Sequence, residues 1–327
     1  MLTLTLGMAT YDDFQGVWET VTCAREFHPE VWPLTEVVVV DNNPDGQHGE
    51  MVREFIEKWT VKSGCRGARY IPNAERTGTA FPRDRVFREA TGDVVCCVDS
   101  HVMVGPGGLA GLLAHIGANP GTRDLLQGPI LYDDGSICAT HMDPIWRGEM
   151  FGTWAVDPRG RDRQGEPFPI PMMGLGLFAC RREAWLGFNH DFSGFGGEEG
   201  YIHAKVTRAG GRTLCLPNLR WSHRYGRPSV PCSLCGTTNV RAPYPLWKEQ
   251  KVRNYLLASQ ELGLPVDDVR IHFGETLKPG RWEPLLREVY GDANPPAARP
   301  EDVAIAEASP DEFPAAWRLA VPQALEA

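Results

Sequence analysis

The stretch VVCCVDSH, residues 94–101, determines how the rest of the chain is interpreted. Its first five residues are apolar, which is typical of a strand buried on both faces of a parallel sheet. The run stops at Asp99, and His101 follows two residues later. Because residues i and i+2 of an extended chain point the same way, these two side chains could hold one divalent cation. The mixed ligands suit Mn²⁺ better than Mg²⁺. The alternative is a polar turn that ends a strand.

Upstream of this stretch, apolar strand patterns alternate with helical patterns. The strands are predicted at residues 2–6, 36–40 and 68–71, and the helices at 14–27, 51–59 and 83–90. This order predicts an α/β fold with a mostly parallel central sheet flanked by helices. Ligands of such sheets bind beyond the carboxyl ends of the strands. Thr10, Asp12, Asp41 and Asp99 are therefore expected to line one crevice.

The second half of the chain is less regular. Helices are predicted at residues 109–116, 198–208 and 247–262, and strands at 125–131, 172–180 and 213–216. Residues 145–171 are rich in Pro, Gly and Arg and predict a long loop, and Trp221-Ser222-His223 is assigned to another loop. The Pro-, Ala- and Glu-rich composition after residue 292 predicts a poorly ordered tail.

Composition limits the functional classes that fit the chain. The 327 residues carry a net charge of −9, with 42% hydrophobic residues. The acidic balance argues against a general nucleic-acid or anionic-membrane binder. No apolar run approaches the ~20 residues of a membrane span, and the start lacks a signal-peptide pattern. With nine cysteines, two of them adjacent, we expect a soluble, reduced, cytoplasmic protein of bacterial or phage type.

Four motifs follow one another in a specific order. They are Asp99-Ser100-His101, the glycine-spaced residues 173–178, Gly196-Gly197-Glu198-Glu199, and Trp221-Ser222-His223. In this order they resemble the polypeptide N-acetylgalactosaminyltransferases, which are family-2-type nucleotide-sugar transferases of the GT-A fold. The resemblance implies transfer of a sugar from a UDP-sugar to an acceptor hydroxyl. It also implies that Asp99, His101 and His223 bind Mn²⁺ or Mg²⁺, which stabilises the charge of the leaving diphosphate.

The resemblance also divides the chain and implies a donor site. Residues 1–225 form the transferase domain, with a nucleotide-binding half at 1–104 and an acceptor and catalytic half at 105–225. A lid loop with a helical extension follows at 226–291, and the tail at 292–327. The predicted donor-binding residues are Thr10, Asp12, Asp41, Arg76, Arg83, Asp99, Gly174, Gly176 and Trp221. A simple turn at Asp41, surface roles for the two arginines and a core role for Trp221 stay open.

Glu198 and Glu199 stand at a predicted helix start, where the helix dipole favours carboxylates in any case. In inverting family-2 enzymes an acidic pair at this point supplies the base that deprotonates the acceptor. In the retaining galactosaminyltransferases the second position is Asn. This chain matches neither pattern. We favour inversion with Glu199 as the base, because an ionisable group occupies the second position.

Two other enzyme classes lack their sequence signatures here, and several ligands stay open. Residues 6–10, LGMAT, lack the glycine pattern of a dehydrogenase, and the glycine-rich basic loop of a sugar nucleotidyltransferase is missing. A non-catalytic protein that binds nucleotide sugars or carbohydrates stays open. Cys232 and Cys235, with Cys215, could hold a structural zinc or be free thiols. The acceptor is undetermined: a polysaccharide precursor, a metabolite, a protein or a hydroxylated DNA base. The last would need a basic groove, from Arg220, Arg224, Arg227 and Arg241.

Overall fold

The computed structural model describes residues 1–74, 78–132, 134–223, 246–293 and 295. Its first half alternates strands and helices, as the sequence predicts. The elements are β1 Leu4–Thr10, α1 Phe14–Phe27, β2 Thr35–Asp41, α2 Gly49–Glu54 with a π-helical turn Phe55–Thr60, β3 Gly67–Pro72, α3 Ala80–Glu89 and β4 Val94–Asp99.

The carboxyl ends of the first strands lie side by side. Strand β1 pairs in parallel with β2 and β4, and the register sets Thr10 beside Asp41 and Ala9 beside Asp99. The first strand is longer than predicted, because Gly7 does not interrupt it. A side chain at Gly7 would overlap Val86 of α3, so the glycine lets that helix pack closely on the strand.

The second half of the chain adds short strands and further helices. They are β5 Val102–Val104, α4 Gly108–Ala118, β6 Leu125–Gln127, β7 Ile130–Leu131, β8 Ile137–Ala139, β9 His141–Arg147, β10 Met150–Ala155, β11 Phe168–Pro169, β12 Leu177–Arg181, α5 Glu198–Arg208, β13 Thr213–Cys215, β14 Trp221–His223, α6 Lys248–Leu262, α7 Asp267–Phe273 and α8 Trp282–Tyr290.

The central sheet has eight strands in the order β11-β13-β6-β12-β4-β1-β2-β3. Strands β11 and β12 run against the others, so the predicted mostly parallel sheet is confirmed. All five apolar residues of β4 are fully buried. Each buried valine of this kind contributes roughly 1.5–3 kcal/mol, so the strand that ends at Asp99 is firmly fixed.

A four-stranded sheet, β5-β14-β7-β8, lies beyond the end of β4. Strand β5 follows directly after His101, and its antiparallel partner β14 sets His223 beside Val102. The loop predicted at residues 221–223 is therefore wrong, because these residues pair as a strand. This pairing brings a histidine from late in the chain next to the turn after β4.

Two further predictions in the second half are wrong. The predicted long loop at 145–171 contains part of a two-stranded antiparallel hairpin, β9–β10, and also β11. Strand β9 contains Pro144, and proline is tolerated in such an edge strand because its missing N–H is not needed for pairing. The single strand predicted at 125–131 is two strands, β6 and β7, which belong to different sheets.

The last three helices of the described chain, α6, α7 and α8, are joined to the core around the central sheet. Val252, Leu256 and Phe273 belong to a small core that α6, α7 and α8 share. On its other side, α6 contributes Leu257 and Ala258 to the core that contains α5. The predicted division at residue 225 stays a prediction, but α6 shares a core with the region before that boundary. The predicted tail lies almost wholly outside the described residues.

Two further observations concern the cell-biological predictions. In the part of the chain that the structure describes, no helix combines the length and apolar character of a membrane span. The cysteines within those residues are free thiols. Cys232 and Cys235 lie outside the described residues, and Cys215 is fully buried in β13, so the structure does not support a zinc site. The predicted cytoplasmic location stays a prediction.

Candidate active site

Three predicted metal ligands converge beyond the carboxyl end of β4. Asp99, His101 and His223 each offer one ligand atom, and these atoms all lie within 4.8 Å of one another. The Nε2 atom of His223 lies 3.2 Å from Oδ2 of Asp99. The imidazoles of His101 and His223 meet edge to face with their centroids 4.7 Å apart. We call Asp99, His101 and His223 the metal corner. Among the described residues, it is the one group of three or more His, Cys, Asp or Glu side chains with geometry that could hold a metal ion.

The buried carboxylate of Asp13 supports the metal corner, although sequence analysis did not select it. Its Oδ2 lies 3.0 Å from Nδ1 of His101 and accepts a 3.2 Å hydrogen bond from the Ser100 hydroxyl. A carboxylate only accepts, so Nδ1 of His101 carries the proton and Nε2 keeps its lone pair for a ligand. Asp13 also caps α1 by accepting from the Gly16 N–H. Its only local signal was an acid before a helix, as at any N-cap.

Arg83 connects the metal corner to the acidic pair at α5. Its guanidinium is buried and donates to Oδ1 of Asp99 at 2.8 Å, while its Nη1 lies 3.4 Å from Oε1 of Glu198. Burial alone would raise the pKa of Asp99, but Arg83 and His223 outweigh it and hold that pKa well below its usual range. The same carboxylates raise the pKa of Arg83 against its own burial. Asp99 is therefore ionised and able to bind a cation.

The two adjacent glutamates have different environments. Glu198 is 1% exposed, and its oxygens accept from the Thr79 hydroxyl, from Arg83 and from the Gly196 N–H at 2.8 Å. Glu199 is half-buried, and burial together with the charge of Glu198 raises its pKa to about 8. Arg83 and Lys251 oppose that shift. The oxygens of Glu198 thus accept hydrogen bonds within the protein, whereas the raised pKa of Glu199 lets it exchange a proton near neutral pH.

Glycines and tryptophans pack the side of the metal corner. A side chain at Gly176 would come within 2.9 Å of the Trp221 ring and 3.0 Å of His223, so glycine allows both to approach. Trp221 is 1% exposed and donates its indole N–H to the Gly128 carbonyl at 2.8 Å. Gly174 lies against Trp154 in the same way. Trp221 therefore lies beside the site within the core, and its predicted donor contact stays a prediction.

The predicted nucleotide-binding residues lie at the adjacent strand ends. The two oxygens of buried Asp41 accept from the Asn43 N–H at 2.9 Å and the Tyr70 hydroxyl at 2.8 Å, and burial raises its pKa. Asp12, in the left-handed region at φ 51°, accepts from the His48 N–H at 2.8 Å. Tyr70 and His48 were not selected from the sequence.

The positions of the other predicted residues do not indicate a role in ligand binding. Thr10 is buried at the end of β1, and its hydroxyl has no hydrogen-bond partner among the residues that the structure describes. Arg220 donates to the backbone carbonyls of Gly160 and Arg161. Arg76, Arg224, Arg227 and Arg241 lie outside the described residues. Contacts of all these residues with a donor or acceptor stay predictions.

The sequence profile of glycosyl transferase family 2 matches residues 5–185, which is more than half of the chain. The chain belongs to glycosyl transferase family 2. The predicted family is thereby confirmed, and with it the prediction of an enzyme of the glycosyltransferase class. The match covers β1 to β12 and ends before α5, so it includes Asp99 and His101 but not the two glutamates or His223.

The chain also resembles curated and solved members of one transferase group. Polypeptide N-acetylgalactosaminyltransferase 10 of Mus musculus is 26% identical over 230 residues, which are 66% of this chain and 37% of the relative. Polypeptide N-acetylgalactosaminyltransferase 11 of Xenopus tropicalis is 29% identical over 203 residues, 58% of this chain and 33% of that relative. The chain thus spans about a third of the length of these relatives.

A solved structure shares the fold. The crystal structure of GalNAc-T7 with UDP, GalNAc and Mn²⁺ aligns with a TM-score of 0.61 at 20% sequence identity. The alignment covers 88% of this chain and 54% of that one. Because the identity is low, the likeness establishes the GT-A fold and not the ligands. The predicted fold class is confirmed.

Proposed function

We propose that this protein is a metal-dependent glycosyltransferase that moves a sugar from a UDP-sugar to an acceptor hydroxyl. The observation that carries the proposal is the convergence of Asp99, His101 and His223, whose ligand atoms lie within 4.8 Å of one another. One carboxylate and two imidazoles suit Mn²⁺ better than Mg²⁺. A bound cation would stabilise the negative charge that develops on the departing diphosphate.

The surrounding residues fit such an ion. Arg83 holds Asp99 in its ionised form, and Asp13 fixes the His101 tautomer that has a lone pair on Nε2. The Nε2 atom of His223 and Oδ2 of Asp99 are already 3.2 Å apart. Three protein ligands leave other coordination positions for diphosphate oxygens. The donor diphosphate would therefore bind next to the metal corner.

Glu199 is the proposed general base. A base must accept the hydroxyl proton of the acceptor, and a carboxylate with a pKa near the working pH does this efficiently. Glu198 accepts hydrogen bonds from Thr79, Arg83 and Gly196, so its proposed role is to stabilise the start of α5. A base acting on the acceptor favours direct displacement with inversion. Retention, with Glu198 holding sugar and acceptor, is the alternative.

The donor pocket is proposed at the ends of β1 and β2, where Thr10, Asp12 and Asp41 lie together. The other proposed donor-binding residues are Arg76, Arg83, Asp99, Gly174, Gly176 and Trp221. The UDP and GalNAc bound to GalNAc-T7 make UDP-GalNAc the first donor to test. The names of the curated relatives make a polypeptide hydroxyl the first acceptor to test. A polysaccharide, a metabolite or a hydroxymethylated DNA base follows in the same assay.

The test is a transfer assay with purified protein. Mn²⁺ and a panel of nucleotide sugars and acceptors are supplied, and the released nucleotide is quantified. We expect release of UDP that stops with a chelator and returns with Mn²⁺. Asp99→Ala should abolish metal-dependent donor binding. Binding of UDP-sugars without release across the acceptor panel would instead identify a non-catalytic binding protein, and no binding or release with metal would refute the proposal.

A further inference from the structure

The backbone before α5 lies directly on helix α6. We call residues 193–197 the glycine loop; it leads from Ser193 to the first residues of α5. The side chain of Asn254 in α6 is 1% exposed and faces this loop. Its Oδ1 accepts from the Ser193 N–H at 3.1 Å, and its Nδ2 donates to the carbonyls of Ser193 at 2.8 Å and Gly196 at 2.9 Å. One amide therefore holds both ends of the loop.

The glycines of this loop are needed for that contact. Gly194, Gly196 and Gly197 have φ values of 66°, 102° and 92°, which favour glycine over other residues. A side chain at Gly194 would overlap Gln250, one at Gly196 would come within 2.8 Å of Lys251, and one at Gly197 within 3.3 Å of Asn254. All three neighbours belong to α6. The loop and the helix are therefore complementary surfaces.

The contact extends to the proposed catalytic carboxylates. Gly196 accepts from Asn254 through its carbonyl and donates its N–H to Oε2 of Glu198 at 2.8 Å. On the opposite side, the Thr79 N–H donates to the Gly194 carbonyl at 2.9 Å, and the Thr79 hydroxyl donates to Glu198. The loop is thus held between α3 and α6. Glu199, one residue further, takes its position from the same start of α5.

We infer that Asn254 is a positioning residue for the transfer reaction. It acts through the glycine loop to fix Glu198 and to aim Glu199, without contacting substrate itself. The inference rests on the proposed function, since it assumes that Glu199 is the base. It also makes α6 part of the reaction machinery, although α6 lies beyond residues 5–185 that match the family.

The experiment compares Asn254→Ala and Asn254→Asp with Gln260→Ala. Gln260 lies on the same helix but donates to the Val289 carbonyl, away from the glycine loop. Asn254→Asp keeps the acceptor for the Ser193 N–H and removes both donations. We expect each Asn254 variant to lose kcat by on the order of 10²-fold, the cost of a small misplacement of a reacting group. The donor KM and the UDP affinity with Mn²⁺ should be unchanged, and Gln260→Ala should behave like the wild type.

Two further readouts separate positioning from a general structural effect. The pH dependence of kcat should shift in the Asn254 variants, because the position of Glu199 relative to Glu198 changes. Hydrogen exchange should quicken at the amides of residues 193–197 while α4 stays protected. Asn254 variants that are folded and keep the wild-type kcat and pH profile would overturn the inference.

Hydrogen exchange also tests the inference in two cases: when the Asn254 variants do not fold, and when the wild type transfers no sugar. If neither variant folds, exchange in the wild type decides, because the amides of Ser193 and Gly196 donate hydrogen bonds and should be as protected as α6. Rapid exchange at these two amides would overturn the inference that Asn254 holds the glycine loop. If the wild type transfers no sugar in any assay, the proposed function fails. A faster exchange of the loop in Asn254→Ala would still establish the contact separately.

Discussion

The metal corner and the glycine loop are built in different ways, although Arg83 contacts Asp99 of the metal corner and Glu198, which directly follows the loop. The metal corner consists of side chains at the ends of paired strands: β4 carries Asp99, and β14 carries His223. The glycine loop lies outside the named strands, with one isolated parallel bridge between Gly194 and Gly78, and Asn254 of α6 holds it by three hydrogen bonds. The first is fixed by the sheets, and the second by a side chain from a distant helix.

The pKa values of the carboxylates in and beside the two regions differ, and the difference matches the function proposed for each carboxylate. Arg83 and His223 hold the pKa of Asp99 low despite its burial, so this carboxylate stays charged. Burial and Glu198 raise the pKa of Glu199 to about 8, so this one exchanges a proton near neutral pH. One environment suits a cation ligand and the other suits a base. The comparison predicts that mutations in one region affect binding and those in the other affect turnover.

The largest effect is expected from His223→Ala. The variant loses one of the three proposed metal ligands, and metal-dependent binding of UDP should weaken on the order of 10³-fold, since a catalytic metal supplies several kcal/mol. Isothermal titration with UDP and Mn²⁺ measures it. His190→Ala, a change at an exposed histidine beside Asp191, is the matched control. Unchanged Mn²⁺-dependent binding in His223→Ala would remove the metal corner from the account.

Glu199→Gln should separate turnover from binding. Transfer should fall by about 10²-fold or more because the variant has no general base, while UDP and Mn²⁺ bind as in the wild type. In the wild type the rate should rise with pH through about 8, since only the ionised carboxylate accepts a proton and its pKa is raised. Glu199→Gln should lack this rise, whereas Glu183→Gln at an exposed position should keep it. A wild-type rate in Glu199→Gln would assign the base elsewhere.

Asp13→Asn should weaken Mn²⁺ binding by about 10–100-fold, the usual cost of losing a partner that orients a metal ligand. Asparagine is as good an N-cap as aspartate, so α1 should keep its stability. Mn²⁺ titration followed by electron paramagnetic resonance measures the affinity, and thermal unfolding checks the fold. Wild-type affinity in this variant would mean that Asp13 acts only as a helix cap.

The smallest effect is expected from Gly176→Ala. The added methyl group would press on Trp221 and His223, so we expect about 1–3 kcal/mol less unfolding free energy, as for overpacked cores. Gly117→Ala, in α4, would place its methyl group at an ordinary contact distance of 3.8 Å from Leu2, so it should instead be neutral or stabilising by up to about 1 kcal/mol. Urea unfolding of both variants gives the comparison. Equal stability would show that the approach of Trp221 and His223 does not require Gly176.

Sequence reasoning succeeded where the signal was local. The apolar run of β4 ending at Asp99 predicted both the buried strand and the side of the sheet on which its polar residues lie. His223 could be selected only through the resemblance, because the strand pairing that places it is non-local. Asn254 had no signal at all, since an asparagine on a polar helix is ordinary until the facing glycines are known. The hairpin β9–β10 was missed because residues 145–171 are rich in Pro, Gly and Arg, which is typical of a loop.

The most direct test is a crystal structure with UDP and Mn²⁺, with data collected at the manganese absorption edge. We expect the anomalous peak to show a manganese ion coordinated by Asp99, by Nε2 of His101 and by His223, with diphosphate oxygens completing the coordination. An anomalous peak held by other residues, or UDP bound with no manganese at these three side chains, would contradict the central claim.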